Sequence, residues 1–173
     1  LYSEYWNHAE EYATKVIDNS YYSLGSIQEL IANKQSGESI WELSFSSSRQ
    51  NDQSAYWRSP NDGGRHEWGP STALVDLLND PLVGGDRKVF FKDYSTAQVP
   101  NYYVGTLYHR STNDDNVILF RLAEQYLIRA EARAKKATPD LVGALHDLNV
   151  VRNRSHVPAL EENLGVSDVI TAI

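Results

Sequence analysis

The side chains with the clearest binding chemistry lie between residues 46 and 70, a stretch with neither a helical nor a strand period. Tyr56, Trp57 and Trp68 offer flat apolar faces with a polar edge, which suit stacking on the C–H face of a sugar ring. The planar groups that would bind hydroxyls are Arg58, Asn61, Asp62 and Arg65. This combination predicts a carbohydrate-binding surface built from these residues.

The length of the stretch supports a role in binding. A loop of about 25 residues without structure of its own is uncommon in a compact domain and is usually functional or disordered. Disordered segments are poor in tryptophan and tyrosine, so disorder is the weaker interpretation. The structural alternative is that Trp57 and Trp68 cover a helical core as a lid.

A hydrolase is the catalytic alternative, because Asp52, Asp62 and Glu67 lie in the same stretch. A glycosidase holds two carboxylates about 5 to 9.5 Å apart across a cleft, and nothing in this spacing favours a pair. The chain has no cysteine and no G-x-S-x-G sequence, and its five histidines share no motif. We therefore predict a protein that is not an enzyme and has no cofactor.

Oxygen ligands for a calcium ion occur together at Asn113, Asp114, Asp115 and Asn116, but the spacing of an EF-hand is missing. A cluster of Asx residues that leads into a helix is the simpler interpretation. No H-E-x-x-H sequence is present either. We predict no metal site.

The composition excludes several classes of protein. The formal net charge is −7 and the pI about 5.2, and no basic stretch offers a nucleic-acid footprint. No apolar run approaches the roughly 18 residues of a transmembrane helix, and no signal peptide opens the chain. The length fits one domain. Neither cysteine nor methionine occurs, and both ends fall within a pattern, so we expect a segment excised from a longer protein.

The elements that position the candidate site depend on residues 116–156. This stretch predicts two amphipathic helices joined by a tight turn, with an apolar period of 3.6 residues. Thr138 and Pro139 are the predicted N-cap and first residue of the second helix. The residues predicted to be buried between the two antiparallel helices are Leu122, Tyr126, Leu127, Leu145 and Leu148.

Charged residues of this hairpin have a predicted structural role. Arg121, Glu124, Arg129 and Glu131 should pair with each other, with backbone carbonyls or with neighbouring helices. Arg129 falls mostly outside the apolar stripe, and Glu131 forms a favourable i,i+4 pair with Lys135.

The other predicted elements precede the hairpin. Residues 1–19 form a helix with Tyr5, Tyr12 and Ala13 on its apolar side, and Ser26 with Glu29 forms a capping box for a helix to about residue 33. Ser71 caps a helix over residues 72–79.

Residues 38–45 alternate as a half-buried strand, with Trp41, Leu43 and Phe45 on one face. An isolated strand needs a partner, and the candidates are residues 88–94 and 102–109. A small sheet inserted between the helices is expected.

The order of these residues resembles the helical-repeat signature of the SusD/RagB family of outer-membrane nutrient-binding lipoproteins. The matching sequences are RLAE at 121–124, YLIRAEA at 126–132, LN at 148–149 and RNR at 152–154. Weaker agreement comes from AEEYA at 9–13, ESIWE at 38–42 and DR at 86–87. The resemblance extends over most of the chain and is weakest at residues 50–70.

The resemblance implies a mainly α fold, with TPR-like helical-hairpin repeats, an inserted small β-sheet and long loops. It implies that the chain is the C-terminal part of a cell-surface lipoprotein of the outer membrane, anchored through lipid outside this segment. In this family the ligand, a glycan or another small nutrient, sits on loop aromatics outside the repeats. The repeat side packs on a SusC-like TonB-dependent transporter. Family loops vary with the glycan, so the candidate residues rest on position and chemistry alone.

We predict one segment of such a domain, divided at residues 1–33 (repeat), 34–116 (inserted strands, loops and a short helix), 117–160 (helical hairpin) and 161–173 (start of a helix). The predicted function is nutrient binding without catalysis and delivery to the transporter. A free-standing TPR-like module that binds a peptide or protein is the main alternative. Such a module would have no use for the long aromatic loop.

Overall fold

A computed structural model describes residues 5–173 of the protein, and this part is mainly helical with two small two-stranded sheets. The helices are α1 (Trp6–Ile17), α2 (Ile27–Ala32), α3 (Gln53–Trp57), α4 (Thr72–Asn79), α5 (Leu122–Lys135), α6 (Leu141–Arg154) and α7 (Val166–Ala172). The strands are β1 (Ser39–Leu43), β2 (Phe91–Asp93), β3 (Tyr103–Gly105) and β4 (Val117–Arg121). Two 3₁₀ turns, Pro60–Asp62 and Gly85–Phe90, complete the regular structure.

The chain folds into two compact units. The first contains the residues up to Gly25 together with Gly37–Trp41 and Phe120–Ile173, and the second contains Ser26–Ser36 and Glu42–Leu119. The fold class predicted from the sequence is confirmed.

In the first unit, α5 and α6 form the predicted helical hairpin, α1 packs on α5, and α7 packs on both hairpin helices. The centre of this core is formed by Ala130, Ala134, Ala144, Leu145, Leu148 and Val169. Burial is confirmed for Leu122, Leu145 and Leu148, while Leu127 packs partly buried against the core and Tyr126 is half-buried. Alanines at the centre let the helices approach closely.

A buried ion pair crosses this hairpin. Arg129 donates from Nε and Nη2 to the two carboxylate oxygens of Asp147 at 2.8 and 2.7 Å. Arg133 Nη1 adds a third hydrogen bond to Asp147 at 2.9 Å. Asp147 is fully buried and Arg129 is 7% exposed, so the placement of Arg129 outside the buried stripe was wrong. A guanidinium can lie at a helix contact when a carboxylate meets it in this two-point geometry.

The predicted structural role of the hairpin charges is confirmed. Arg121 lies 4.0 Å from Glu124, and Lys135 donates to Glu131 at 2.7 Å. Both pairs are partly exposed, so each contributes at most about 1 kcal/mol.

Helix α1 joins this core through charge as well as apolar contact. Glu10 accepts from Arg133 at 3.0 Å and from Lys136 at 2.8 Å. Burial raises the pKa of Glu10, but the hydrogen bonds from Lys136 and Arg133 outweigh it and hold the pKa below its ordinary value. Ala13 is the buried residue of the predicted apolar side, whereas Tyr5 and Tyr12 are exposed, so that part of the prediction was wrong. The hydroxyl groups of these two tyrosines favour contact with water. The predicted start of the helix, residues 1–4, lies outside the described residues.

The start of the predicted hairpin was wrong, because Val117–Arg121 form the strand β4 rather than the first turn of a helix. The segment is rich in β-branched and aromatic residues, which favour a strand when a partner is available. Its partner is β1. At the end of the strand, the Leu122 N–H donates to the carbonyl of Glu38 at 2.8 Å, and α5 begins there.

The cap of the second hairpin helix was also misplaced. Asp140, not Thr138, is the N-cap of α6, and its carboxylate accepts from the Gly143 N–H at 2.9 Å. The carboxylate of aspartate and the hydroxyl of threonine can both accept a hydrogen bond from a free N–H of the first turn. The sequence offered both, and the fold uses the later one.

The predicted partners of β1 instead pair with each other. Strands β2 and β3 form an antiparallel hairpin with Phe91 opposite Gly105, Lys92 opposite Val104 and Asp93 opposite Tyr103. The predicted buried face of β1 was wrong as well, since Trp41 and Leu43 are 55% and 46% exposed. Trp41 packs instead on the exposed ring of Phe120 from β4, with ring centroids 5.8 Å apart.

Two short helices of the second unit begin as predicted. Ser26 Oγ accepts from the Glu29 N–H and the Glu29 carboxylate accepts from the Ser26 N–H, at 3.1 and 2.8 Å. Ser71 caps α4 through the Leu74 N–H at 3.2 Å.

We expect Leu148→Ala to lower the free energy of unfolding by roughly 2–5 kcal/mol, because it removes buried contacts and leaves a cavity. Val142→Ala on the same helix is the control, since Val142 is 80% exposed and should change little. Urea denaturation followed by circular dichroism measures both. Equal effects in the two variants would contradict the assigned core.

Asp147→Asn should cost roughly 3–5 kcal/mol, because it leaves two guanidinium groups without their carboxylate. Glu131→Gln is the matched control, since it removes a carboxylate from a partly exposed pair with an expected cost of about 0–1 kcal/mol. The same denaturation experiment compares them. A cost for Asp147→Asn no larger than that of the control would show that the buried pair is dispensable.

Candidate functional site

The stretch over residues 46–70 has more structure than its sequence predicted. It contains α3, the 3₁₀ turn at Pro60–Asp62 and a bridge between Ser46 and Arg49. Its buried residues are polar, namely Asn51, Ser54, Arg58 and Ser59. The order therefore comes from specific hydrogen bonds, which leave no apolar period in the sequence.

Asp115 is the centre of these hydrogen bonds. Its carboxylate is 2% exposed and accepts from Ser54 Oγ at 3.2 Å, from the Arg110 N–H at 2.8 Å and from Arg110 Nη1 at 2.7 Å. Its backbone carbonyl accepts from Asn51 Nδ2 at 2.8 Å. One acidic residue thus holds both the start of the stretch and helix α3.

The neighbours of Asp115 complete the support. Asn113 accepts from the Asn51 N–H at 2.6 Å through its carbonyl and from Arg58 through its side chain. Asp114 pairs with Lys34 at 2.6 Å. The interpretation of these residues as the lead into a helix was wrong, because strand β4 follows them. They hold the loop.

The second half of the stretch folds back on the first. The N–H groups of Arg65, Glu67 and Trp68 donate to carbonyls of Ala55 and Tyr56 at 2.7, 2.9 and 3.1 Å. The reversal passes through Gly64, where a Cβ would lie 2.2 Å from the Arg58 carbonyl oxygen. No side chain fits there, so this glycine permits the fold-back that brings Trp68 onto Tyr56.

The structure gathers four of the predicted residues into one cluster, which we call the aromatic cluster: Tyr56, Trp57, Arg65 and Trp68. The Tyr56 and Trp68 rings are 4.5 Å apart, and Trp57 meets Trp68 edge-on at 6.1 Å. Trp68 is 44% exposed and Trp57 half-buried. A large part of the Trp68 side chain is therefore accessible to a ligand.

Arg65 adds a charge to this cluster without giving it a net charge. Its guanidinium lies 4.5 Å from the centre of the Tyr56 ring, and its Nε lies 2.9 Å from the carboxylate of Glu67. The cation stacks on the aromatic face while the carboxylate balances it. The surface therefore suits an uncharged ligand with apolar faces and hydroxyl groups.

Two other predicted residues lie in a different place. Arg58 and Asp62 line a pocket of about 410 Å³ in the second unit, together with residues of α2 and the β2–β3 hairpin. Arg58 is 6% exposed and donates to the carbonyls of Ser54 and Asp62, each at 3.0 Å. Asn61 is exposed at the 3₁₀ turn.

The carboxylate of Asp62 is fixed by two hydroxyl groups. It accepts from Ser59 Oγ at 2.8 Å and from the Tyr94 hydroxyl at 3.1 Å. The hydrogen bond from Ser59 is the main cause that lowers the pKa of Asp62, and the charges of Lys92 and Arg58 contribute in the same direction. Asp62 is thus an ionised acceptor at neutral pH.

The seven predicted residues do not include the groups that support the aromatic cluster from the β2–β3 hairpin. Gly105 lies under Trp57, where a Cβ would be 2.8 Å from indole Cε3. His66 donates to the Tyr103 carbonyl at 2.8 Å and meets the Tyr102 ring edge-on at 4.3 Å. Tyrosines at 94, 102, 103 and 108 were the sequence signal for this region, but their contact with the loop depends on the fold.

Within residues 5–173, no group of three or more histidine or acidic side chains is arranged to hold a metal ion. Over the same described part of the chain, no helix combines the length and apolar character needed to cross a membrane.

A model of the SusD family matches residues 84–173. No curated protein sequence matches the chain. Among solved structures, a SusD superfamily protein from Parabacteroides distasonis superposes with a TM-score of 0.75 at 17% identity, over 97% of this chain and 42% of that protein.

Two further structures have similar folds. A putative sugar binding protein from Bacteroides vulgatus has a TM-score of 0.74 at 22% identity, over 96% of this chain and 39% of its own. Surface glycan-binding protein A from Bacteroides thetaiotaomicron, in complex with laminarihexaose, has a TM-score of 0.70 at 16% identity. The match covers 96% of this chain and 46% of that protein. The chain thus spans less than half the length of these proteins.

We expect Asp115→Asn to loosen the stretch over residues 46–70, because it replaces a carboxylate that accepts three hydrogen bonds by an amide. The expected loss is roughly 1–3 kcal/mol of unfolding free energy, with faster proteolysis between residues 46 and 70. Asp114→Asn is the control, since that ion pair is partly exposed and should contribute at most about 1 kcal/mol. Limited proteolysis with mass spectrometry measures the difference, and equal cleavage in the two variants would contradict the central role of Asp115.

Proposed function

The chain belongs to the SusD family, and from this premise we propose that it binds a glycan at the aromatic cluster without catalysing a reaction. The observation that carries the proposal is the exposure of Trp68, 44%, on a ring held against Tyr56 by the backbone hydrogen bonds of the folded-back loop. Stacking of a sugar on an aromatic face needs a rigid, exposed ring. Binding of laminarihexaose by the Bacteroides thetaiotaomicron protein supports the same class of ligand.

The charge of the cluster favours a neutral glycan. Glu67 balances Arg65, so a ligand gains no net ion pair there. Shallow contacts to an uncharged sugar predict an affinity in the micromolar to millimolar range, about −4 to −8 kcal/mol. Such binding is nearly insensitive to salt, because no charge on the ligand is screened.

Two of the three carboxylates of the loop, those of Asp62 and Glu67, have contacts that favour binding rather than hydrolysis. Glu67 is paired with Arg65, and Asp62 is held by Ser59 and Tyr94 at the other pocket. A glycosidase would need two carboxylates that face one cleft. Neither of these groups is free to form such a pair in its present contacts.

Family membership also supports a wider proposal for the whole protein. We infer an outer-membrane, cell-surface lipoprotein that delivers its ligand to a SusC-like TonB-dependent transporter. Co-purification of the full-length protein with a TonB-dependent transporter from the same organism tests this partner. Failure to co-purify under conditions that retain glycan binding would contradict delivery but leave ligand capture intact.

The test of the binding site is Trp68→Ala in the full-length protein. A panel of neutral oligosaccharides that includes laminarihexaose first identifies a ligand by calorimetry. We expect Trp68→Ala to weaken that ligand roughly tenfold or more, about 1.4 kcal/mol or above, because the stacking face is lost.

Trp41→Ala is the matched control for this experiment. Trp41 is exposed to a similar degree, 55% against 44%, but lies on β1 outside the loop. Its removal should leave the affinity unchanged, and circular dichroism confirms the fold of both variants. Unchanged affinity in Trp68→Ala would remove the aromatic cluster from the site.

A further inference from the structure

The pocket lined by Arg58 and Asp62 differs in charge from the aromatic cluster, and we propose that it is a separate binding site for a sugar acid, a small polyhydroxylated molecule that carries a carboxylate. Its volume is about 410 Å³, at the lower end of the roughly 300–1,000 Å³ of pockets for small molecules. The proposal stands on this pocket alone and does not depend on glycan binding at the aromatic cluster.

The first observation is an excess of positive charge. Arg58 and Lys92 line the pocket with a single carboxylate, that of Asp62. All three hydrogen bonds of Arg58 go to neutral oxygens, those of Ser54, Asp62 and Asn113, and the Asp62 oxygen among them is a backbone carbonyl. Within residues 5–173, three of the five N–H groups of this nearly buried guanidinium therefore have a protein acceptor, and two have none. An anionic oxygen is the partner that such a group prefers.

The second observation concerns Lys92. Within residues 5–173, its ammonium group has no ion-pair or hydrogen-bond partner, although Asp62 is close enough for the charge of Lys92 to lower its pKa. Lys92 is paired with Val104 across the β2–β3 hairpin. Residues opposite each other on two strands share a face, and both line the pocket. The hairpin thus presents an exposed cation beside an apolar wall.

The remaining walls suit the body of a sugar. Ile31, Ala32, Val89 and Val104 provide aliphatic surface for its C–H groups. Gln28, Asp62 and Thr106 provide donors and acceptors for hydroxyl groups. Inorganic phosphate or sulfate would satisfy the cations but would leave these walls unused.

The β2–β3 hairpin contacts both the pocket and the aromatic cluster. Gly105 lines the pocket, and a Cβ at Gly105 would lie 2.8 Å from Cε3 of Trp57. None of the four residues of the aromatic cluster lines the pocket. The two surfaces are therefore neighbours built from different side chains, one balanced in charge and one positive.

The experiment titrates the full-length protein with glucuronate, glucose and sodium sulfate by calorimetry. We expect glucuronate to bind at least tenfold more tightly than glucose or sulfate, and binding should weaken as sodium chloride is raised. Lys92→Gln should reduce the affinity for glucuronate roughly tenfold, the effect of losing one charge-assisted hydrogen bond.

Two further variants make the test specific. Lys88→Gln is the matched control, because Lys88 is an exposed lysine of the adjacent 3₁₀ turn that does not line the pocket, and its affinity should be unchanged. Ala32→Leu adds bulk to the wall at the end of α2 and should abolish binding while leaving helix propensity intact.

Three outcomes would overturn the proposal. The first is that glucuronate binds no better than glucose, the second that sulfate binds as well as glucuronate, and the third that Lys92→Gln and Ala32→Leu both retain the wild-type affinity. The second outcome would identify a simple anion site in place of a sugar-acid site.

Discussion

The buried carboxylate of Asp115 is the constraint on which the second unit depends. A buried ionised group is stable only when hydrogen bonds and a countercharge replace its water. Ser54, the Arg110 backbone and the Arg110 guanidinium do so here. Because Ser54 lies 61 residues from Asp115 in the sequence, its hydrogen bond to this carboxylate fixes the position of α3 and of the loop that follows.

The two candidate binding surfaces follow from that positioning. Once α3 is fixed, Tyr56 and Trp57 meet the folded-back segment that carries Trp68. Arg58, the next residue after Trp57, is directed away from this cluster into the pocket. Neighbouring residues thus belong to surfaces of different charge. In the aromatic cluster Glu67 balances the charge of Arg65, whereas in the pocket Lys92 adds to the charge of Arg58.

The first unit rests on a similar device. Asp147 receives hydrogen bonds from Arg129 and Arg133 inside the hairpin. Leucine and alanine supply the apolar contacts around it. A buried ion pair of this kind adds little net stability compared with apolar residues, but its two-point geometry accepts only one arrangement of the helices. The contacts of α5 with α6 are therefore specific as well as apolar.

The sequence by itself determined the helices that have an apolar period of 3.6 residues or a local cap such as Ser26 or Ser71, because these signals act within one element. It did not indicate α3, which has neither signal. It also indicated which loop was rich in binding chemistry. It did not determine that residues 117–121 form a strand, since that depends on pairing with β1. It did not indicate that Arg129 is buried, because its partner Asp147 lies on another helix.

The division of the seven candidate residues between an aromatic cluster and a pocket was decided only by the tertiary structure. Tyr56, Trp57 and Arg58 are consecutive, and composition cannot tell that Arg58 turns to Asn113 while Tyr56 meets Trp68. The sequence did not indicate Lys92 as a binding residue, because it is a single lysine in a short strand. Its candidate role depends on the pocket that it lines together with Val104 and Arg58. A local sequence pattern reflects the stability of a single helix or strand. The contacts that form the two surfaces join residues far apart in the chain, and only the folded structure brings these residues together.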